Sequence, residues 1–119
     1  TLDRAPGFVE VLEAEADAQG FSKDKLGTYI QPIRHGTGCH LEFNLMYDPN
    51  RPEEVEQVRT LLDSAAQKCM DKGGFFSRPY GSLADRVYEK CPDTVSALKK
   101  VKGILDPQGI LNPGKLCFS

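Results

Sequence analysis

Residues 39–47, CHLEFNLMY, are the stretch that decides the fold. Every second side chain from Leu41 to Tyr47 is apolar or aromatic, and the side chains between them, beginning with His40, are mainly polar. Successive side chains of a β-strand point to opposite faces, so this alternation predicts a strand with one buried face and one polar face. The polar face carries His40, Glu42, Asn44 and Met46.

A second strand is predicted just before the first, in TYIQPI (residues 28–33). Its residues favour β-structure, but Pro32 cannot donate a hydrogen bond to a sheet, which predicts an edge strand or a strand end. The intervening residues 34–38, RHGTG, contain two glycines that permit a tight turn. We therefore expect the two strands to form an antiparallel hairpin.

Helical patterns lie on both sides of this hairpin. An amphipathic helix is expected over 7–19, with Gly20 as its stop, and another over 52–72, with Val55, Val58 and Leu62 on its apolar stripe. A last helix is expected over 93–105, with Asp93 as N-cap, and residues 73–82 (GGFFSRPYGS) are expected to form a short strand or an extended loop. This order of elements predicts an α+β fold with an antiparallel sheet.

Composition restricts the function further. The chain has 119 residues, which suits one domain or a piece of a larger one. Its net charge of -2 disfavours nucleic acid as a partner, and it has no apolar run long enough for a membrane span. The four cysteines form no C-x-x-C pair, so we expect reduced thiols, no zinc or iron–sulfur site, and a cytoplasmic location.

Three segments carry a resemblance to a known family: LGTYIQPIRHGTGCHLEFNLMYDP (26–49), GGFFSRPYG (73–81) and LKKVKGILDPQGILNPGKLCF (98–118). The last contains the pattern D-P-x-G-I-x-N-P-G-K, and together they resemble the C-terminal region of FAD-linked oxidases of the vanillyl-alcohol oxidase / p-cresol methylhydroxylase superfamily. The resemblance implies a ferredoxin-like antiparallel sheet with helices on one face, as a fragment of a larger cap domain. It also implies an N-terminal FAD-binding domain that is absent from these 119 residues and holds most of the cofactor.

The same resemblance identifies Arg78 and Tyr80 as the first candidate site residues. In the phenol-oxidising branch a Tyr-Arg pair binds the phenolate, and Arg78 matches that Arg whereas Ser77 stands where the Tyr would be. In the 2-hydroxy-acid branch a Glu-His pair supplies a metal ligand and a base, and here Pro79 and Tyr80 replace it. We therefore expect no metal. The alternative for Arg78 is a structural ion pair with the acidic helix that begins near Glu53.

The polar face of the predicted hairpin supplies the remaining substrate candidates. His40 and Glu42 lie two residues apart, so they share a face of the strand, and Tyr29 and Gln31 lie on the paired strand. We assign His40 a catalytic role with Arg78 and Tyr80, and Tyr29, Gln31, Glu42 and Arg78 to substrate binding. The alternatives are a merely solvated face and, less favoured, a metal at His35, His40 and Glu42.

Asn112 and Lys115 lie in the tail motif, which in the superfamily returns toward the cofactor, so they are the candidate FAD contacts. Asn-Pro-Gly is also ordinary turn chemistry, which is the structural alternative. The implied activity is hydride transfer from a small phenolic or hydroxy-acid substrate to flavin, with the phenolic class preferred and the 119 residues inactive alone. Their main partner would be their own FAD domain, and they could also form a homodimer. A stand-alone ferredoxin-like binding or assembly module is the alternative function.

Overall fold

The computed structural model describes residues 1–34 and 37–118, with only the backbone at Arg34. These residues form four α-helices and a two-stranded antiparallel sheet, which confirms the predicted α+β class. Two compact units divide the chain, Thr1–Gly74 and Phe75–Ser119. The elements are α1 (Ala5–Ala18), β1 (Leu26–Arg34), β2 (Gly38–Leu45), α2 (Pro52–Asp71), α3 (Ser82–Glu89) and α4 (Pro92–Leu105), with 3₁₀ turns at Leu2–Arg4 and Lys23–Lys25.

The hairpin forms in the predicted place. β1 pairs with β2 from Leu26 opposite Leu45 to Pro32 opposite Cys39, and the register shifts between Pro32 and Arg34. Both strands are edges of a two-stranded sheet, which explains how Pro32 is accommodated. Of the connecting turn, His35 and Gly36 lie outside the described residues.

The core of the first unit joins the hairpin to α1 and α2. Its buried members are Leu12, Ala16, Phe21, Leu61 and Ala65, and partly buried Leu26, Phe43, Leu45 and Val58 pack against them. One residue of the predicted apolar stripe of α2 was wrong. Leu62 is 49% exposed, and its neighbour Leu61 is fully buried in its place. The apolar side of the hairpin thus faces the helices, and its polar side faces away.

Polar contacts fix α1 against α2 at the border of this core. Lys68 of α2 forms an ion pair with Glu15, a carboxylate on the buried side of α1. That pairing is the main cause that lowers the pKa of Glu15 below its ordinary value. Gln19 donates to Ser64 at 2.8 Å, and Gly73, with φ of +87°, ends α2 in the left-handed conformation that suits glycine.

The second unit departs from the predicted order of elements. Residues 73–81 form a loop, one of the two alternatives expected for this stretch, and it leads into α3, which the sequence pattern did not predict. α3 has eight residues and only Ala84 is buried, so the apolar signal that identifies a helix is weak. Gly81 precedes it with φ of +56° and ψ of -138°, a conformation open essentially to glycine alone.

α4 differs from its prediction in its N-cap, and much of its apolar surface is exposed. The N-cap is Cys91, and Asp93 lies in the first turn, where it makes no capping hydrogen bond. The C-terminal half of the helix exposes apolar side chains, with Val101 at 53% and Leu105 at 75%. Among the helices described, none is long and apolar enough to cross a bilayer.

Candidate functional site

Four of the predicted site residues come together on the hairpin. The register places Tyr29 opposite Glu42 and Gln31 opposite His40. Residues opposite each other in an antiparallel pair share a face, and so do residues two apart on one strand. The four side chains therefore form a two-by-two block, the hairpin polar face, on the side turned away from α1 and α2.

Within the hairpin polar face, His40 and Glu42 form a polar contact. The His40 Nε2 and Glu42 Oε2 atoms are 3.4 Å apart, with the histidine side chain 28% exposed and the glutamate 50% exposed. A carboxylate within reach of one ring nitrogen orients an imidazole. With the Tyr29 hydroxyl and the Gln31 amide, the face offers a proton acceptor, a proton donor and a neutral hydrogen-bonding group to a small polar substrate.

Arg78 and Tyr80 lie in the loop that opens the second unit. Both side chains are exposed, Tyr80 at 74%, and Pro79 between them is buried. Among the described residues of this unit, Arg78 has no hydrogen bond or ion pair, so its five N–H donors are free for an anionic group.

Asn112 and Lys115 are exposed in the tail after α4. Asn112 has φ of +45°, which asparagine tolerates better than most residues. Neither side chain forms a hydrogen bond within the described part of the second unit. They are thus open to polar contact with a cofactor, although this geometry equally suits the structural turn expected of Asn-Pro-Gly.

Sequence reasoning missed the residue that shapes this tail. Asp106 is 8% exposed and its two carboxylate oxygens accept hydrogen bonds from the backbone N–H groups of Ile110 and Leu111, each at 3.0 Å. Lys102, four residues earlier on α4, donates to the same carboxylate and to the Leu111 carbonyl. The Lys-x-x-x-Asp-Pro spacing at a helix end was the signal available, because residues four apart lie on one face of a helix.

The described residues contain no group of three or more His, Cys, Asp or Glu side chains arranged for a metal ion, and His35 lies outside them. An open depression of about 240 Å³ is lined by Asp3, Arg4, Gly7, Phe8 and Lys72. Ligand pockets usually measure roughly 300–1,000 Å³, so this depression is too small for FAD.

The thiols show no activated site. All four cysteines are free, and Cys69 and Cys117 are buried. Burial raises the pKa of the Cys69 thiol, which keeps it protonated and unreactive. Cys69 is thus a small core residue of α2.

Comparison with known proteins gives the family. Residues 1–116 match the family described as "FAD linked oxidases, C-terminal domain". The glycolate oxidase subunit GlcD of Escherichia coli is 29% identical over 90 residues, which is 72% of this chain and 18% of that protein. The D-lactate dehydrogenase of Anaerostipes hadrus is 28% identical over 116 residues, which is 93% of this chain and 22% of that protein.

A third relative is the D-2-hydroxyglutarate dehydrogenase of Pseudomonas putida, 26% identical over 136 residues, which is 96% of this chain and 14% of that protein. The chain therefore spans between 14% and 22% of the length of these three curated relatives. No solved structure matches it significantly.

Proposed function

The chain belongs to the family of C-terminal domains of FAD-linked oxidases, and from that premise we propose that it forms the substrate-binding part of a FAD-dependent oxidoreductase acting on a small 2-hydroxy acid. FAD, when bound, accepts the hydride from the substrate. The observation that carries this proposal is the hairpin polar face, where Tyr29, Gln31, His40 and Glu42 converge through the strand register.

Each residue has a role that suits a 2-hydroxy acid. In the second unit, Arg78 and Tyr80 suit a carboxylate, because the planar fork of the guanidinium offers paired donors and keeps its charge. His40, oriented by Glu42, accepts the proton of the substrate hydroxyl. On the hairpin polar face, Tyr29 and Gln31 donate hydrogen bonds that orient the substrate. FAD is bound mainly by a partner domain of the same enzyme, with Asn112 and Lys115 at its margin.

The substrate class is supported by the relatives. Their names concern glycolate, D-lactate and D-2-hydroxyglutarate, three 2-hydroxy acids. The Pro79 and Tyr80 substitutions at the Glu-His positions of that branch argue for a site without a metal. A 4-alkylphenol is the second candidate, since a guanidinium also binds phenolate, but Ser77 in place of a tyrosine counts against it.

Anaerobic flavin reduction in the FAD-loaded enzyme that carries these residues tests the proposal. We expect glycolate, D-lactate or D-2-hydroxyglutarate to bleach the flavin and 4-alkylphenols to leave it oxidised. Reduction by the phenols alone would reverse the assignment of substrate class. Reduction by neither, together with an absence of flavin from the native protein, would favour the stand-alone binding module.

A further inference from the structure

The hairpin polar face exposes a carboxylate that its contact with His40 leaves only partly occupied. The side chain of Glu42 is 50% exposed, and its Oε2 atom lies 3.4 Å from the His40 Nε2 atom. Within the described ranges, the second carboxylate oxygen of Glu42 has no hydrogen-bond partner, so it is available to whatever binds on this face.

The surroundings of Glu42 supply no strong cation. Tyr29 and Gln31 are neutral, and so is Asn44, the next residue on the same side of β2. Among the described side chains of the two strands there is no lysine or arginine. Lys25, just before β1, forms an ion pair with Glu54 at 3.0 Å, so its charge is already matched.

A substrate that transfers its hydroxyl proton to His40 lies close to the Glu42 carboxylate. A general base acts within hydrogen-bond reach of the proton that it accepts, roughly 2.6–3.2 Å between heavy atoms. Since Glu42 contacts one nitrogen of the ring, the substrate at the other nitrogen lies within one Debye length of the carboxylate, about 8 Å at physiological ionic strength. Charges at such a separation interact without full screening by salt.

We propose that Glu42 is a specificity-determining residue that restricts the site to 2-hydroxy acids with a single carboxylate. A dicarboxylic acid brings a further negative charge to a face that holds a carboxylate and no described lysine or arginine, and like charges placed together oppose binding. An uncharged substrate side chain meets no such repulsion and can contact the half-exposed ring of Tyr29.

This inference deepens the proposed function and rests on it in taking a 2-hydroxy acid as the substrate. The names of the relatives concern glycolate and D-lactate, which have one carboxylate, and D-2-hydroxyglutarate, which has two. The charge of the hairpin polar face favours the first two for the enzyme that carries this chain.

Binding of two 2-oxo acids to the FAD-loaded enzyme tests the proposal. 2-Oxovalerate and 2-oxoglutarate are the oxidised forms of the matching 2-hydroxy acids, and they differ only in a terminal methyl or carboxylate. We expect the wild type to bind 2-oxovalerate more tightly. Glu42→Gln should improve the affinity for 2-oxoglutarate relative to 2-oxovalerate by at least about 3-fold, as expected for one like-charge contact near a surface.

The ratio of the two Kd values separates repulsion from the other role of Glu42. Any disturbance of His40 in Glu42→Gln affects both ligands alike, because their reacting ends are identical, and it cancels in the ratio. Asn44→Asp adds a carboxylate on the same side of β2 and should shift the ratio in the opposite direction. Glu10→Gln, at an exposed position of α1, is the control for net charge and should leave the ratio unchanged.

A wild-type enzyme that binds 2-oxoglutarate as tightly as 2-oxovalerate overturns the proposal, and so does a ratio that Glu42→Gln leaves within about 3-fold of the wild type. An equal shift in Glu10→Gln also overturns it, because the effect would then come from net charge. Failure of the proposed function is distinguishable, since flavin would then be reduced by none of the 2-hydroxy acids, whereas the two Kd values require no turnover. Absence of binding by either 2-oxo acid overturns both.

Discussion

The ammonium group of Lys102 donates a 2.5 Å hydrogen bond to the carboxylate of Asp106, at the point where α4 ends and the tail begins. The same carboxylate accepts from the backbone of Ile110 and Leu111, and Lys102 also lies 5.2 Å from the Phe118 ring centroid. The hydrogen bond from Lys102 is the main cause that holds the pKa of Asp106 below its ordinary value. The ion pair at the end of α4 thus holds the carboxylate that binds the backbone of the tail at Ile110 and Leu111.

Asp106→Asn should open the tail without unfolding the first unit. Asparagine keeps the shape but loses the charge that pairs with Lys102 and one oxygen acceptor, so the bonds to Ile110 and Leu111 weaken. We expect several-fold faster amide exchange at Ile110 and Leu111. Lys99→Met, an exposed lysine on the same helix, is the matched control, and equal exchange in both variants would contradict the role given to Asp106.

The hairpin could be predicted from sequence because its pattern is local. Strict alternation from Leu41 to Leu45 fixes which face is buried, and the register then brings His40 and Glu42 together with Tyr29 and Gln31. Helix α3 could not be predicted, because eight residues with one buried side chain give too little periodicity. The bonds that Asp106 makes depend on the path of the chain after α4, which no periodic pattern encodes.

Leu61→Ala should cost far more stability than Leu62→Ala. Leu61 is fully buried in the cluster of α1, α2 and the hairpin, whereas its neighbour is 49% exposed. Truncating a buried leucine typically lowers the free energy of unfolding by about 2–5 kcal/mol, and an exposed one by far less. Chemical denaturation of both variants measures the difference, and similar losses would mean that the α2 face is assigned wrongly.

Stability should decline as the pH falls from about 4.5 to about 2, in part because of Glu54. Its carboxylate accepts from the Asp48 backbone N–H, from Lys25 and from Arg51, each at 3.0 Å. These bonds lower the pKa of Glu54 from 4.5 to about 2, and the bond from the Asp48 backbone N–H has the largest effect. A depressed folded-state pKa stabilises the fold above the unfolded pKa, and this contribution is lost as the group protonates.

Glu54→Gln should therefore lower stability at neutral pH and flatten its dependence between pH 4.5 and 2. Glu56→Gln is the control. Glu56 lies on the same helix, its side chain is 69% exposed, and its ion pair with the exposed Arg59 is longer, at 3.5 Å. Thermal melts across this pH range give the comparison. Parallel curves for the wild type and Glu54→Gln would show that the bonds to Glu54 contribute little.

Arg78→Lys should weaken binding of a 2-hydroxy acid more than it changes stability. Lysine keeps the charge but loses the paired donors, and a hydrogen bond to a charged group contributes about 1.5–3 kcal/mol, or roughly 10- to 100-fold in affinity. The Kd for a non-reducing carboxylate analogue measures this in the FAD-loaded enzyme. Arg59→Lys, 72% exposed on α2, is the control. If Arg78→Lys instead lowers the melting temperature with an unchanged Kd, Arg78 is structural.

His40→Gln should slow flavin reduction with little effect on substrate binding. Glutamine can still hydrogen-bond the substrate but cannot accept its proton, and a positioned general base contributes roughly 10²–10⁴-fold to the rate. Asn44→Ala is the matched control, because Asn44 lies two residues beyond Glu42 on the same face and makes no described side-chain hydrogen bond. Single-turnover reduction separates the rate from the substrate Kd. A variant that loses affinity and keeps its limiting rate would reduce His40 to a binding residue, and Glu42→Gln should then have no effect on the rate.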